Sequence, residues 1–413
     1  MTNKPFKLTQ DQENTLDVLK DFMADTDAKY MVVQGDSGTG KSTLIKEMCN
    51  LLPSNRLLLT ATTNKAANVV NNLLGEDVKT IHATLRLSVE FDFDTGKQYL
   101  KPTDPLTELV RKIIIIDEAS FIGDTLYKLI DEATVRDCKI ILVGDQYQLA
   151  PVGQKKGPVM SKIKTKYKAY LTEIVRHKGN ISDLGKQFKE AIITGEFKSI
   201  ETNDLDIFHV DQDKFKRLIK TAFTSKGYTS DKTRILAYTN YKVLGYNKFV
   251  RKLLNLPEQL VAGEPILTNE PCFGPGGSII ARTDAMVHLV KIGGPRKMMG
   301  IKGREVWLEQ DDKYSFFLPD NPQEVRTKLK KLAKIPDWQQ FFYLKKRSLD
   351  LRPMYASTVH KAQGSEYQVV FIDLSDMGKC QEHEEMARLL YVALTRATKT
   401  LVLAGKLPSS YGG

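Results

Sequence analysis

Cysteine is scarce in this sequence: there are four, Cys49, Cys138, Cys272 and Cys380, far apart and with no CxxC pair. That spacing argues against a disulfide framework or a zinc site and suits a reducing compartment. Long apolar runs are also missing, and none approaches the roughly 20 residues that a membrane-spanning helix needs. Met1 to Gln10 (MTNKPFKLTQ) has no apolar core of the kind that marks a secretory signal. A cytoplasmic location without membrane contact is therefore expected. No internal repeat recurs at the periods of about 20 to 50 residues that solenoids and propellers require. The composition that remains, 41% hydrophobic and 27% charged, excludes wholesale disorder and a collagen-like chain. The 413 residues leave room for two to four domains.

Charge of one sign is in excess, and unevenly so. Residues 1–150 hold 17 basic and 22 acidic side chains, whereas the remaining chain holds 44 basic and 28 acidic, for a formal total of +11. A surplus gathered in one part of the chain implies a polyanionic partner, most simply nucleic acid, with plain solubility as the alternative.

The first 150 residues alternate short apolar runs with helical spacing. Tyr30 to Gln34, Arg56 to Thr60, Lys112 to Ile116 and Lys139 to Val143 are too brief for helices and rich in branched residues. Between them Lys41 to Leu52, Asn64 to Leu74 and Asp124 to Ala133 place apolar residues at helical intervals. Buried strands separated by helices imply an α/β fold with a parallel sheet covered on both faces. Thr9 with Gln12 reads as a capped helix start. Leu85 to Thr103 interrupts the rhythm: Val89, Phe91 and Phe93 alternate with polar residues, turn at Asp94-Thr95-Gly96 and return through Tyr99, a β-hairpin pattern. A second sheet unit is expected from Arg234 to Tyr238, Gln368 to Ile372 and Thr400 to Leu403, with helices over Tyr241 to Leu254 and Glu384 to Thr395. Residues 255–355 are then an insertion, with short strand-like runs around Gly276, Gly277, Gly293 and Gly294 that suggest a small β-barrel. Basic helical stretches follow at Val325 to Lys334 and Trp338 to Lys346.

The chemistry begins at Gly35 to Ser42, GDSGTGKS, a full match to GxxxxGK[ST] placed after a strand and opening a helix. Glycines let successive backbone N–H groups face one anion, Lys41 reaches the β and γ phosphates, and the Ser42 hydroxyl can ligate Mg²⁺. Asp117 and Glu118 end the apolar strand IIII, where a sheet delivers carboxylates to its C-terminal edge. Asp117 suits a Mg²⁺ ligand and Glu118 the activation of water. Gln148 in GDQYQLAPV is a side chain able to report a γ-phosphate.

Taken together, GDSGTGKST, IIIIDEAS, GDQYQLAPV, ASTVHKAQGSE (Ala356 to Glu366) and LLYVALTRA (Leu389 to Ala397) resemble, in order, motifs I, II, III, V and VI of superfamily 1 helicases, in the RecD-like branch, superfamily 1B. The resemblance runs from Leu8 to about Leu403, and its TVHKAQGSE and YVALTRA strings are its most specific part. It implies two RecA-like P-loop motor domains, 1–84 with 104–180 and 181–254 with 356–413. It also implies a strand-separating hairpin pin at 85–103 and an SH3-like β-barrel with a basic helical arm at 255–355.

The resemblance assigns further residues. Gln12 would contact the adenine. The nucleotide would be bound by Gly35, Ser37, Gly38, Thr39, Gly40, Lys41, Ser42 and Thr43, with Gly364 and Glu366 from motif V nearby. Arg176 and Arg396 would act on the γ-phosphate; an ordinary surface ion pair is the alternative for each. Thr62, Asn64, Lys65, Thr80 and His82 of motifs Ia and Ib would line a single-strand channel, with Thr239 and Asn240 of motif IVa and Thr358, His360 and Lys361 of motif V. Phe91, Phe93 and Tyr99 would serve the pin, and Trp338 would contact it from the arm, unless these aromatics only pack their own domains. The expected function is ATP- and Mg²⁺-dependent unwinding of DNA, moving 5′ to 3′ on single strands. The expected partners are single-stranded and forked DNA, and replication or recombination proteins, with the chain working as a monomer. A double-strand translocase and a single-strand binding protein with a vestigial nucleotide site are the competing expectations.

Overall fold

The computed structural model describes residues 7–75, 78–91, 98–102, 105–150, 159–175, 179–274 and 278–413, without the side chains of 89–91 and 98. Its first lobe is built on a six-stranded sheet in the order Lys168–Leu171, Tyr30–Gly35, Lys139–Gly144, Ile113–Asp117, Leu57–Ala61 and Lys79–Thr80. Every pairing in it is parallel. The side-chain alternation of a strand explains the two cores. Met31, Val33, Ile113 and Ile115 face the helices Gln10–Ala24 and Lys41–Leu51. Their neighbours Val32, Ile114 and Ile116 face Leu126 and Ile130 of Asp124–Ala133 on the other side. The first helix begins at a capping box: Gln12 N–H donates to Thr9 Oγ1, and Thr9 N–H to Gln12 Oε1.

A second lobe repeats the plan with a five-stranded parallel sheet, ordered Ile207–Val210, Ala397–Ala404, Tyr367–Asp373, Thr233–Ala237 and Ala356–Thr358. Leu236, Val370, Ile372, Leu401 and Leu403 pack toward helices Asn180–Thr194 and His383–Leu394. Ile235, Ala237, Phe371 and Val402 pack toward Gln212–Thr224 and Asn240–Leu253. Four strands were not expected from sequence: Lys168–Leu171, Lys79–Thr80, Ile207–Val210 and Ala356–Thr358 are the edge strands of the two sheets, two to four residues long and too short to stand out as apolar runs.

Residues between the two halves of the second lobe form small antiparallel sheets: Met286–Val287 with Ile266–Thr268 and Leu351–Pro353, Cys272–Phe273 with Ile279–Ala281, and the meander Leu289–Met298, Ile301–Leu308 and Asp311–Pro319. The first strand of the meander does not stop at Gly293-Gly294, as expected; it bulges between Ile292 and Pro295 and continues. Helices Pro322–Lys334 and Trp338–Arg347 follow. The insertion is stapled to its lobe by a buried pair. Arg251 Nε meets Glu264 Oε1 at 2.7 Å, and Tyr355, where the chain returns, donates to the same oxygen at 3.4 Å. In the first lobe, Ser88–Phe91 and Gln98–Lys101 pair antiparallel; the turn between them and Phe93 lie outside the described residues. No helix among the described residues is long and apolar enough to cross a membrane.

Candidate functional site

Strand order brings the first lobe's motifs together. Tyr30–Gly35, Lys139–Gly144 and Ile113–Asp117 are neighbours, so the phosphate loop, Gln148 and the Asp117–Glu118 pair leave the same C-terminal edge side by side. The second lobe offers the opposite edge of its sheet: Glu366 and Arg396 each stand immediately before a strand, Tyr367–Asp373 and Ala397–Ala404. Between the lobes lies a cleft of about 300 Å³. Ser37, Gly38, Gly40, Lys41, Ser42, Asp117, Glu118 and Gln148 line it from one side, and Gly364, Glu366 and Arg396 from the other.

The residues fit a nucleotide and its cation. Gly40 has φ +80°, and a Cβ there would come within 2.5 Å of Gln12 Nε2. Lys41 Nζ turns back to the carbonyls of Gly35 and Asp36, at 2.9 and 3.0 Å, a position from which it can swing to phosphate. Burial, then repulsion from Glu118, pushes the Asp117 carboxyl up to about 7. Burial also raises Glu118, while Lys41 and Arg396 pull it down. Glu118 Oε2 is buried without a hydrogen-bond partner among the described residues. An unsatisfied carboxylate oxygen aimed into a cleft beside two cations suits a water or ligand yet to arrive.

Contacts across the cleft were not anticipated from sequence. Asp36 pairs with Lys189 at 2.7 Å, and Lys189 also sits 4.7 Å from the Tyr147 ring centroid. The Ser37 N–H donates to Tyr391 Oη at 3.3 Å, and that hydroxyl donates to Asp145 Oδ2 at 2.6 Å. Arg396 Nη2 donates to Ser37 Oγ at 3.3 Å, and Arg388 donates to the carbonyls of Gln146 and Gln148. Gln363 Nε2 donates to Gln148 Oε1 at 3.0 Å, so Gln148 is held from the second lobe. Tyr391 stood inside the LLYVALTRA string and Asp145 inside GDQYQLAPV, but their bond to each other forms only where the two lobes face.

Some residues sit elsewhere than expected. Gln12 is fully buried, and its amide donates to the carbonyls of Thr39 and Gly40, so it props the phosphate loop. Gly35, Thr39 and Thr43 are not among the lining residues; Thr39 Oγ1 bonds the Asp36 carbonyl and shapes the loop from behind. Thr62 is buried, and its hydroxyl donates to the Glu118 main-chain carbonyl at 2.8 Å. Arg176 lies outside the described residues.

A second cavity, about 810 Å³, opens where both lobes meet the insertion. Asn64, Lys65 and Lys361 line it, and Val69, Gly364 and Glu366 line both this groove and the nucleotide cleft. Thr239, two residues past the strand Thr233–Ala237, and Thr358, the last residue of the adjacent strand, cap the helices that follow, which brings Asn240, Thr358 and Lys361 together in a small neighbouring recess. Thr80 likewise caps its helix through Ala83 N–H. His360 lies 6.4 Å from the Tyr238 ring centroid, and burial lowers both it and His82. Tyr99 is half exposed, while Trp338 packs edge-on against Phe341 in the arm's own cluster.

Two parallel-sheet lobes with a phosphate loop, paired carboxylates and an arginine from across the cleft define a two-lobed P-loop NTPase. Residues 7–205 match the AAA domain family and residues 353–404 the UvrD-like helicase C-terminal domain family. The chain is 24% identical to the ATP-dependent DNA helicase Dda of Enterobacteria phage T4 over 94% of its own length and 97% of that protein's. It is 23% identical to the ATP-dependent RecD2 DNA helicase of Deinococcus radiodurans, over 96% of its length and 49% of that protein's. Its fold is similar to that of a Bacteroides Pif1 helicase solved with ADP-AlF3 and single-stranded DNA, with a TM-score of 0.54 at 14% identity, covering 98% of this chain and 94% of that one. Together these likenesses support a superfamily 1B helicase.

Proposed function

We propose that this protein is an ATP-driven DNA helicase that moves 5′ to 3′ along a single strand and opens the duplex ahead of it. The observation that carries the proposal is the shared cleft, in which Lys41, Ser42, Asp117, Glu118 and Gln148 of one lobe face Gly364, Glu366 and Arg396 of the other. A site divided between two bodies ties its chemistry to their relative motion. Lys41 and the loop N–H groups hold the phosphates, and Glu118 accepts a proton from the attacking water. Arg396, joined by Arg176, faces the charge that develops on the transferred phosphoryl group. A magnesium ion held by Ser42 and Asp117 would neutralise phosphate charge. Gln148 is bonded to Gln363 and passes the state of the cleft to motif V.

On the other side of that wall, Asn64, Lys65, Asn240, Thr358 and Lys361 grip the strand through its backbone. Closure and reopening of the cleft then let the two lobes hold it in turn. The hairpin around Tyr99 acts as the pin, with Phe91 and Phe93, and the insertion with Trp338 serves as the SH3-like brace behind it. Binding through phosphates predicts salt-sensitive, weakly sequence-selective affinity. The relatives named as DNA helicases support DNA as the track.

The test is unwinding of forked substrates with only a 5′ or only a 3′ single-stranded tail, in DNA and RNA versions. Opening of the 5′-tailed DNA fork alone is expected. Opening only from a 3′ tail would reverse the direction, and ATP turnover without strand release would favour a double-strand translocase.

A further inference from the structure

The groove at the lobe junction is bridged by a turn of the insertion. Lys361 Nζ is 2.8 Å from Asp284 Oδ1 and 2.8 Å from Asn269 Oδ1. Arg282, two residues before Asp284, donates to Asn64 Oδ1 at 3.3 Å. The two residues assigned to strand binding from opposite lobes, Asn64 and Lys361, are thus both engaged by one short segment.

That segment is built, not loose. Thr268 is fully buried; its hydroxyl donates to the Arg282 carbonyl at 2.5 Å and accepts from the Ala285 N–H at 3.0 Å. The Thr268 carbonyl accepts the Asp284 N–H at 2.8 Å. These bonds hold Asp284 at φ +59°, a backbone region that Asp and Asn tolerate better than most residues. The neighbour of Thr268 is Asn269, the other partner of Lys361. The carboxylate and the amide that hold the lysine therefore rise from two segments, 268–269 and 282–285, tied together through Thr268.

An ammonium held by an anion and a neutral oxygen is solvated as it would be by a phosphodiester, which likewise offers one negative charge over oxygen acceptors. We propose that Asp284 is a stand-in for a backbone phosphate: it keeps Lys361 extended into the groove before DNA arrives and must be displaced when the strand enters. Asp284 is then a positioning residue that sets the threshold for polyanion binding, and Arg282 ties the same turn to the first lobe. The inference rests on the proposal that Lys361 contacts the strand.

The experiment is a double-mutant cycle read by fluorescence anisotropy of labelled oligothymidylate, with Asp284→Asn, Lys361→Gln and the pair together, at two salt concentrations. Asn preserves both the positive φ and the hydrogen bond, so the turn is retained. For a half-exposed pair the expected gain from Asp284→Asn is about three- to fivefold tighter binding, larger at low salt, and absent when Lys361 is already Gln. If Asp284→Asn tightens binding equally in the Lys361→Gln background, its effect is general repulsion and the stand-in role is wrong. If Lys361→Gln weakens binding but Asp284→Asn leaves it unchanged, the pair is purely structural and the inference falls while the strand-binding role survives. If Lys361→Gln leaves affinity untouched, the strand-binding role falls with it.

Discussion

At the scale of single residues, the site is costly to keep. The Asp117 carboxyl is pushed up to about 7 by burial and by Glu118, against an ordinary value of 3.8, and burial raises Glu118 as well. Between the two values the folded state binds more protons than the unfolded chain, so the sign is fixed. Their contribution to stability is present at low pH and is lost as pH rises from about 4 through about 7. Asp117→Asn removes the charged form that the fold resists. In nucleotide-free, divalent-free buffer it is expected to raise the melting temperature at pH 8, by about 2–4 °C for each kcal/mol regained, with a smaller gain at pH 5.5. Scanning calorimetry across that range checks it, and a gain independent of pH would mean that the raised carboxyl is not the cause. The same variant should lose ATP turnover.

Elements carry function by where they are mounted. Among the described residues the hairpin strands Ser88–Phe91 and Gln98–Lys101 pair only with each other, outside the six-stranded sheet, and Leu100 seats their base on the first lobe's core. Deleting its tip, Asp92 to Lys97, should therefore spare the nucleotide cleft. We expect DNA-stimulated ATP turnover to stay within about twofold of the parent while strand separation falls at least tenfold, as the loss of a base-stacking surface would cause. Equal losses in the two assays would remove the pin assignment. The insertion is anchored differently, through the buried Arg251–Glu264 pair and Tyr355, and such a pair is strongly destabilising to break from one side. It ties the insertion to the second lobe.

At the scale of the whole molecule, the decisive feature is that the nucleotide cleft and the groove at the lobe junction share a wall. Val69, Gly364 and Glu366 line both cavities, and Gly364, at φ +70°, would place a Cβ 3.6 Å from Glu118 Oε1. Arg396 of the second lobe already meets the phosphate loop at Ser37. Arg396→Ala should slow DNA-stimulated ATP hydrolysis by about 10³-fold or more while a fluorescent nucleotide still binds. A rate close to the parent's would pass the role to another cation, with Arg176 the first to substitute. The charge division also gains meaning here. Of the groove's cations, Lys65 comes from the net-negative first part of the chain, and Arg234, Arg282 and Lys361 come from the basic remainder.

Much of this was legible along the chain because it is local. A phosphate loop is a strand, a run of glycines and a helix start, all contiguous, and the buried strands announce themselves by four successive apolar residues such as Ile113 to Ile116. The cap at Thr9 is equally local, a hydroxyl accepting from a backbone N–H three residues on; the caps at Thr63 and Thr239 are of the same kind but were not read from the sequence. Short edge strands were not legible, since half their pairing is absent and their apolar pattern is correspondingly weak. The position of Gln12 was not either: its surroundings come from a loop 27 residues away.

The sequence by itself determined the chemistry: which residues can hold phosphate, bind a cation and activate water, and in what order the motifs run. Only the tertiary structure decided which of them face each other. Tyr391 meets Asp145 across 246 residues, and Arg396 meets Ser37 across 359. Such contacts depend on how two separately folded sheets are set against one another, and no local pattern of side chains encodes the distance between surfaces that distant parts of the chain create.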